Sequence, residues 1–155
     1  MNMQSSNLVR VVSRLLMAGL TVALVSCANG GFMSKGSSST SNFKASLTGA
    51  SEVPANASTA SGSAKLVYDP ATKGLTVNVM TTGIAGKAAH IHQAAVGVNG
   101  GVIFPLAETP AGSGNWGTSV TLSDEQLAVL QAGGYYINVH SAALPGGEIR
   151  GQIVK

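Results

Sequence analysis

The chain has 155 residues, enough for one domain with appendages, and it is 45% hydrophobic but only 10% charged. This composition is too apolar for a disordered chain, and its bias to Gly, Ser, Thr, Ala and Val favours strands and turns. The formal charge of +3 falls to about +1 without Arg10 and Arg14, which lie in a predicted leader, so nucleic-acid binding has no support. The single cysteine, Cys27, excludes an intrachain disulfide.

Residues 1–26 are typical of an export signal peptide. Arg10 and Arg14 precede an apolar run, residues 15–25, that suits a signal-peptide core and is shorter than the ~20 residues of a membrane span. The run ends in Leu-Val-Ser-Cys, which resembles the bacterial lipobox, so we expect Cys27 to carry a lipid. The alternative is an ordinary signal peptide with an incidental cysteine.

Residues 27–42 are predicted to form a flexible tether after the lipidated cysteine. Glycines and a Ser/Thr run there cannot bury enough apolar surface to repay the entropy of ordering. In lipoproteins of two-membrane bacteria, a residue other than Asp after the lipobox cysteine usually permits transfer to the outer membrane, and here that residue is Ala28. We therefore expect a domain at residues 43–155 anchored to a membrane in the cell envelope, on the periplasmic face of the outer membrane or on the cell surface.

Short strands separated by turn residues are predicted after the tether. Apolar and polar residues alternate in residues 43–48, 62–68 and 75–80, the pattern of half-buried strands. The sequence DPATKG, residues 69–74, predicts a hairpin connection in which proline fixes φ early in the turn and Gly74 supplies positive φ.

The next predicted strand carries a His-x-His pair, His90 and His92. A loop at residues 83–87 leads into this strand. A tight turn at residues 99–101 follows it and leads to a short strand that we expect Pro105 to stop.

One short helix is predicted between the strands of the second half. Residues 112–117 are expected to form a polar loop around Trp116 before it. Ser123 is a good N-cap, and Gln126 stands at the capping-box spacing. The glycine pair at 133–134 is expected to end the helix.

Two further strands complete the predicted fold, at residues 135–140 and 148–154. In the last strand, Ile149 and Ile153 are expected to face the core. Seven or eight short strands with one small connecting helix predict an all-β fold, an antiparallel Greek-key sandwich or barrel.

The three histidines of the chain form a candidate metal site. In a strand, residues two apart point to the same face, so His90 and His92 project together and Ile91 points to the core. If Ile137 faces the core, His140 lies on the outer face as well. Three imidazoles suit copper or zinc, and without a carboxylate they are compatible with three-coordinate copper(I). The sequence therefore predicts a three-histidine site, for copper rather than zinc.

Two more residues are candidates near that site. Glu148 is a candidate to hydrogen-bond a ligand histidine or to bind the metal itself. Met80 is a candidate to supply a thioether sulfur as a further ligand. The alternative for Glu148 and Arg150 is a cross-strand salt bridge or a loop clamp. Because the chain has no nucleophile elbow, P-loop, dinucleotide fingerprint or paired carboxylates, no catalytic residue is predicted.

Several motifs closely resemble the CHRD domain, which is named from chordin and occurs in many bacterial secreted proteins. They are AHIH (89–92), GGVI (100–103), LSDEQL (122–127), YINVHS (136–141) and PGGEIRGQ (145–152), with the opening FKASLTGASEVP (43–54). The resemblance covers about residues 42–155 and implies an immunoglobulin-like β-sandwich. In chordin the domain sits in an extracellular antagonist of growth-factor signalling, which is no guide to a bacterial role.

A fainter likeness runs to copper/zinc superoxide dismutase, also a Greek-key β-barrel with a His-x-His strand that supplies copper ligands. This likeness implies that His90 and His92 match that pair and that His140 matches a later copper ligand. The enzyme also needs further histidines, an Asp for its second metal and an intrachain disulfide. Because this chain has no spare histidine and no disulfide, we expect a dismutase-like fold without dismutase activity.

Three hypotheses for function follow from these patterns. The first is a lipid-anchored cell-envelope CHRD protein that binds copper through its histidines for metal storage, delivery or sequestration. The second is an extracytoplasmic module that binds a protein or a polysaccharide and whose histidines are incidental. The third, with the least support, is a copper redox enzyme.

Overall fold

The computed structural model describes residues 39–155, so the predicted signal peptide, the lipidation at Cys27 and most of the predicted tether lie outside the described residues. Within them the chain forms eight antiparallel strands, closed into a barrel, and one short α-helix. In chain order the elements are β1 (Ser41–Thr48), a 3-10 turn (Gly49–Ser51), β2 (Ser61–Asp69), β3 (Gly74–Thr82), β4 (Gly86–Gln93), β5 (Gly101–Glu108), β6 (Asn115–Thr121), α1 (Asp124–Gln131), β7 (Tyr135–Ser141) and β8 (Ile149–Gln152). In the part of the chain described, no helix has the length and apolar character needed to cross a membrane.

The strand order brings together strands that are distant in the sequence. Around the barrel the order is β1-β2-β3-β6-β5-β4-β7-β8, and β8 returns to β1, where Arg150 pairs with Thr48. Most neighbours are consecutive strands, but β3 pairs with β6 and β4 pairs with β7. The pairing of β4 with β7 places the two histidine-bearing strands side by side.

The apolar positions of the alternating strands face the barrel interior, as the sequence predicts. Burying each large apolar side chain is worth about 1.5–3 kcal/mol relative to leaving it exposed, so these residues hold the barrel closed. The hydrophobic residues at most 1% exposed are Leu47, Leu66, Leu75, Val77, Val79, Ala89, Ile91, Leu130, Tyr135, Ile137, Val139, Ile149 and Ile153.

The predicted helix and its caps are confirmed. Ser123 and Gln126 form a reciprocal capping box: the Ser123 Oγ accepts from the Gln126 N–H (3.2 Å), and the Gln126 Oε1 accepts from the Ser123 N–H (2.9 Å). Asp124 and Glu125 lie in the first turn, where negative charge complements the helix dipole. Gly133, with φ of 70°, follows the helix end.

The hairpin between β2 and β3 forms where predicted, but its positive-φ residue differs. Lys73 has φ of 55°, and Gly74 does not have positive φ. The Asp69 carboxylate closes the turn by accepting from the Thr72 hydroxyl (3.0 Å). A Cβ at Gly74 would lie 2.9 Å from the Thr72 Oγ1, so this glycine relieves crowding.

Pro105 does not stop its strand, contrary to the sequence prediction. β5 runs through it to Glu108. At Pro105 this strand pairs with His90 of β4, whereas β6 joins β5 only at Ala107 and Glu108. β5 therefore has a free side at Pro105, which tolerates a residue without a backbone N–H.

Trp116 lies in a strand rather than in the predicted polar loop. β6 begins at Asn115, and the Trp116 side chain is buried in the core. Its ring packs against β4 so closely that a Cβ at Gly86 would lie 2.5 Å from a ring carbon. The predicted loop at residues 83–87 is also shorter than expected, because Gly86 already belongs to β4.

Candidate metal centre

The three histidines lie on the outer face of one wall of the barrel. His90 and His92 belong to β4 and His140 belongs to β7. The antiparallel register pairs Ala88 with His140 and His90 with Asn138. His90 and His140 are therefore diagonal neighbours on the same face, and the structure brings together the three residues that the sequence singled out.

The ring nitrogens of these histidines lie close to one another. One nitrogen from each ring lies within 4.8 Å of the other two. The shortest separation, from His90 Nδ1 to His140 Nε2, is 3.1 Å. Zinc and copper bind imidazole nitrogen at about 2.0–2.1 Å, so two nitrogens on one ion are at most ~4.2 Å apart. The separations in this cluster are therefore near those that one ion bound by all three rings would require.

His92 presents a buried nitrogen with no protein partner. Its Nδ1–H donates to the Gly100 carbonyl at 2.9 Å, and the ring stacks on Tyr136 with centroids 4.8 Å apart and an interplanar angle of 7°. The Nε2 is buried and has no hydrogen-bond partner among residues 39–155. A buried polar atom without a partner costs about 1–3 kcal/mol. Its free lone pair is the property required of a metal ligand.

The hydrogen bonds also define the tautomers of the other two rings. The His140 Nδ1 lies 2.9 Å from the Pro145 carbonyl oxygen, which can only accept, so this nitrogen carries the proton. The His140 Nε2 is then an acceptor, and the His90 Nδ1–H donates to it. Metal binding through the His90 Nδ1 would require that proton to move to the other ring nitrogen.

Burial lowers the pKa of both His90 and His140 from the ordinary histidine value. For His90, the positive charges that His140 and His92 can carry lower the pKa further. For His140, the hydrogen bond to the Pro145 carbonyl opposes the effect of burial, and the charge of His92 adds to it. Neutral imidazole is therefore favoured at pH 7, and this is the form that binds metal ions.

Two loop carbonyls orient His92 and His140, and no pattern in the sequence indicated either of them. Gly100 accepts from His92, and Pro145 accepts from His140. Such partners fix ring orientation and tautomer at metal sites. At Gly100 a Cβ would lie 1.9 Å from the Gln93 carbonyl oxygen, so glycine is required for this approach of the loop to β4. Because every residue has a carbonyl, only the fold could identify these two.

The other two candidate ligands lie elsewhere. The Glu148 Oε1 accepts from the Ser58 Oγ at 2.7 Å, and the cluster found among the described residues contains only the three histidines. Met80 is on β3, whose neighbours in the barrel are β2 and β6, and its side chain is 65% exposed.

Arg150 acts as a loop clamp, the alternative that the sequence analysis left open. Its guanidinium is buried and donates to the Asn99 Oδ1 at 3.0 Å and to the Val98 carbonyl at 2.7 Å. It also lies 3.3 Å from the centroid of the Tyr136 ring, a cation–π contact.

A buried carboxylate, Glu52, lies close to the loop that orients His140. A Cβ at Gly147 would be 2.5 Å from its Oε1, an atom for which the described residues supply no hydrogen-bond partner. Burial raises the pKa of Glu52, although the Val53 N–H and the charge of Arg150 act in the opposite direction. A cavity of about 230 Å³ lies between residues 52–56 and the 144–147 loop.

Comparisons with known proteins give one match. The family model described as the CHRD domain matches residues 43–153, which is most of the chain. No curated protein and no solved structure matches the chain.

Proposed function

We propose that this chain, which belongs to the CHRD domain family, binds a transition metal ion through His90, His92 and His140. The observation that carries the proposal is the buried, unpartnered Nε2 of His92, which lies beside two other imidazoles. Bound metal would satisfy this nitrogen, which no group in the described part of the chain satisfies. A histidine with no function would be expected to have this nitrogen exposed to water or hydrogen-bonded, so the buried free nitrogen favours metal binding over an incidental histidine.

Copper is the metal that we propose, with zinc as the alternative. The cluster offers three imidazole nitrogens and, among the described residues, neither a thiolate nor a carboxylate. A three-nitrogen set suits copper(I) in three-coordination and also suits zinc. Because each imidazole must be neutral to bind the ion, the metal affinity of such a site falls as the pH falls, and the ion is bound and released reversibly. Storage, delivery or sequestration of the ion is the role that fits these properties.

We also propose that the protein acts in the cell envelope, attached to a membrane by a lipid on Cys27. This proposal rests on the lipobox-like sequence and on the apolar run before it. A three-histidine site at the end of such an anchor would hold metal ions outside the cytoplasm.

For the fold, we propose the Greek-key class within the all-β architecture. In a Greek key, three hairpin-connected strands are followed by a fourth that lies beside the first. The spatial order β7-β4-β5-β6 supports this assignment, because β7 pairs with β4 after the consecutive strands β4, β5 and β6.

Titration of the full-length mature protein, purified without a polyhistidine tag, tests metal binding. We expect one copper(I) per chain under anaerobic conditions, measured by competition with a colorimetric copper(I) chelator, and a parallel titration with zinc compares the two metals. The variant in which His90, His92 and His140 are all changed to Ala should lose this binding.

A matched control has three substitutions on the outer face of another wall, Lys65→Ala, Asn78→Ala and Met80→Ala. These residues are exposed, so the control should keep both its fold and its copper. Equal copper binding by the wild type and the triple histidine variant would contradict the proposal, as would a wild type that binds no metal.

An interaction module is the second candidate function. Val96, Val98 and Val102 are 75%, 53% and 53% exposed, and all three follow the His-x-His strand closely in sequence. Exposed apolar patches mark interaction surfaces when they are large and contiguous. A protein that binds no metal but loses a partner when these valines are changed to Ser would favour this candidate.

A further inference from the structure

Arg150 is a buried cation whose side-chain hydrogen bonds and ring contact connect it to the three-histidine site. Only 1% of its surface is exposed. A buried charge requires compensating contacts, and Arg150 has them in its two hydrogen bonds to the 98–99 loop and in its contact with the face of Tyr136. Removing the guanidinium would therefore release both the loop and the aromatic ring.

The Tyr136 ring lies between Arg150 and His92. β8 and β4 flank β7 on opposite sides, so Arg150 approaches the tyrosine from one side and His92 from the other. The guanidinium is 3.3 Å from the ring centroid, and the imidazole is stacked at 4.8 Å. The three side chains form a column in which the position of each depends on the next.

The loop held by Arg150 also carries the hydrogen-bond partner of His92. Gly100 directly follows Val98 and Asn99, the two residues that bind the guanidinium. Its N–H donates to the Tyr136 hydroxyl at 3.2 Å, and its carbonyl accepts from the His92 Nδ1–H at 2.9 Å. His92 is thus held by two contacts, the stacked ring and the carbonyl, and both depend on Arg150.

We propose that Arg150 and Tyr136 are positioning residues that keep His92 in the tautomer with Nδ1 protonated and Nε2 free, and that they thereby set the metal affinity of the three-histidine site. The inference rests on the proposed metal-binding function, but its first measurement needs no metal. If Arg150 contributed only to stability, its loss would lower the free energy of unfolding and leave the tautomer of His92 unchanged.

Two variants separate these roles. Arg150→Lys keeps the charge but loses the planar fork that binds two acceptors at once. Tyr136→Phe keeps the stacked ring and the face for Arg150, but it removes the hydroxyl that accepts from Gly100. The matched control is Glu108→Gln, since Glu108 also clamps a loop, through the N–H groups of Gly112 and Gly114 (2.8 Å each), away from the histidines.

The first measurement is the ¹⁵N chemical shifts of the His92 ring nitrogens in the metal-free, folded protein at pH 7. We expect a single tautomer with protonated Nδ1 in the wild type and in Glu108→Gln, and a mixture of tautomers in Arg150→Lys and Tyr136→Phe. The second measurement is copper(I) affinity, which should fall by about 10–100-fold in Arg150→Lys and by about 10-fold in Tyr136→Phe, the range for changes in groups that orient metal ligands. The control should keep wild-type affinity.

The outcomes distinguish this inference from the proposed function. Folded variants with the wild-type tautomer and wild-type affinity would overturn the inference. A wild type that binds no metal would overturn the proposed function, whereas the tautomer populations would still decide whether Arg150 and Tyr136 position His92. If Arg150→Lys fails to fold, Tyr136→Phe supplies the same test, because it leaves the guanidinium and the ring in contact.

Discussion

Two walls of the barrel, β2–β3 and β4–β7, contain strands in which side chains alternate between the inner and the outer face. Their outward side chains nevertheless differ in exposure. On β2 and β3 the outward side chains, such as Lys65 and Met80, are exposed. On β4 and β7 the outward side chains His92 and Tyr136 are only 7% and 2% exposed. Loop residues such as Gly100 bind these side chains directly. This difference shows that alternation decides which side chains point outward, whereas the loops decide which of those become a site.

The inner faces of the two walls should respond equally to truncation. Ile137 on β7 and Leu66 on β2 are both fully buried. Changing either to Ala removes apolar contacts and leaves a cavity, so each should lower the free energy of unfolding by about 2–5 kcal/mol. Urea denaturation of both variants measures this. A much smaller loss at Ile137 would mean that the site wall is packed differently from the rest of the core.

The outer faces should differ sharply in metal binding. His92→Ala removes a proposed ligand, and we expect copper affinity to fall by more than about 100-fold, since groups that only orient ligands are worth ~10–100-fold. Met80→Ala, on the exposed wall, should leave affinity unchanged. Competition titrations of both variants test the pair. A loss of affinity in Met80→Ala would restore that methionine as a ligand.

The site wall should also make stability depend on pH below the ordinary histidine pKa of 6.5. Burial lowers the pKa of His90 and His140 in the folded protein, so the unfolded chain binds more protons as the pH falls below 6.5. The stability contributed by the neutral rings is therefore present above 6.5 and is lost as the pH falls through the folded values. Metal binding should weaken over the same range, because protonated imidazole does not bind metal.

Urea denaturation of the metal-free protein at pH 7 and at about pH 5.5 measures this slope. A variant with both His90→Ala and His140→Ala should have a shallower slope than the wild type. An unchanged slope would show that these histidines titrate as exposed residues do.

Glu52 should have the smallest effect on the pH dependence of stability, and its effect should be opposite in sign to that of the histidines. Burial raises the pKa of its carboxyl above 4.5, so the stability it contributes is present below the unfolded value and is lost as the pH rises through the folded value. Glu52→Gln removes the buried charge. The variant should therefore be more stable relative to the wild type at pH 7 than at pH 4, as measured by its free energy of unfolding. A difference that does not vary with pH would mean that Arg150 offsets the cost of burial.

Much of the fold could be predicted because its signals are local. The apolar period of two assigned the inward residues of β1, β2, β3 and β8, and the Ser123–Gln126 capping box located the helix. The His-x-His spacing placed two imidazoles on one face. These patterns depend only on backbone geometry within a few residues, so the sequence expresses them directly.

The errors fall where a neighbouring strand overrides a local signal. Pro105 is typical of a strand end, but β5 has a free side there and continues. Trp116 lies in a Gly-rich polar segment, but its ring is buried in the hydrophobic core. Lys73 takes the positive φ that Gly74 was expected to supply. For Pro105 and Trp116, long-range packing outweighs a preference that the sequence expresses only locally, whereas the difference at Lys73 lies within the turn itself.

The sequence by itself determined which side chains face the core, where the helix begins, and that two histidines share a face. Only the tertiary structure decided that His140, 50 residues from His90, lies beside it, since this depends on the pairing of β4 with β7. The contacts of Gly100 and Tyr136 with His92, and the contact of Arg150 with Tyr136, likewise depend on the tertiary structure. Periodicity along a chain describes the faces of each strand, but it carries no information about which strands pair or which loops fold over them.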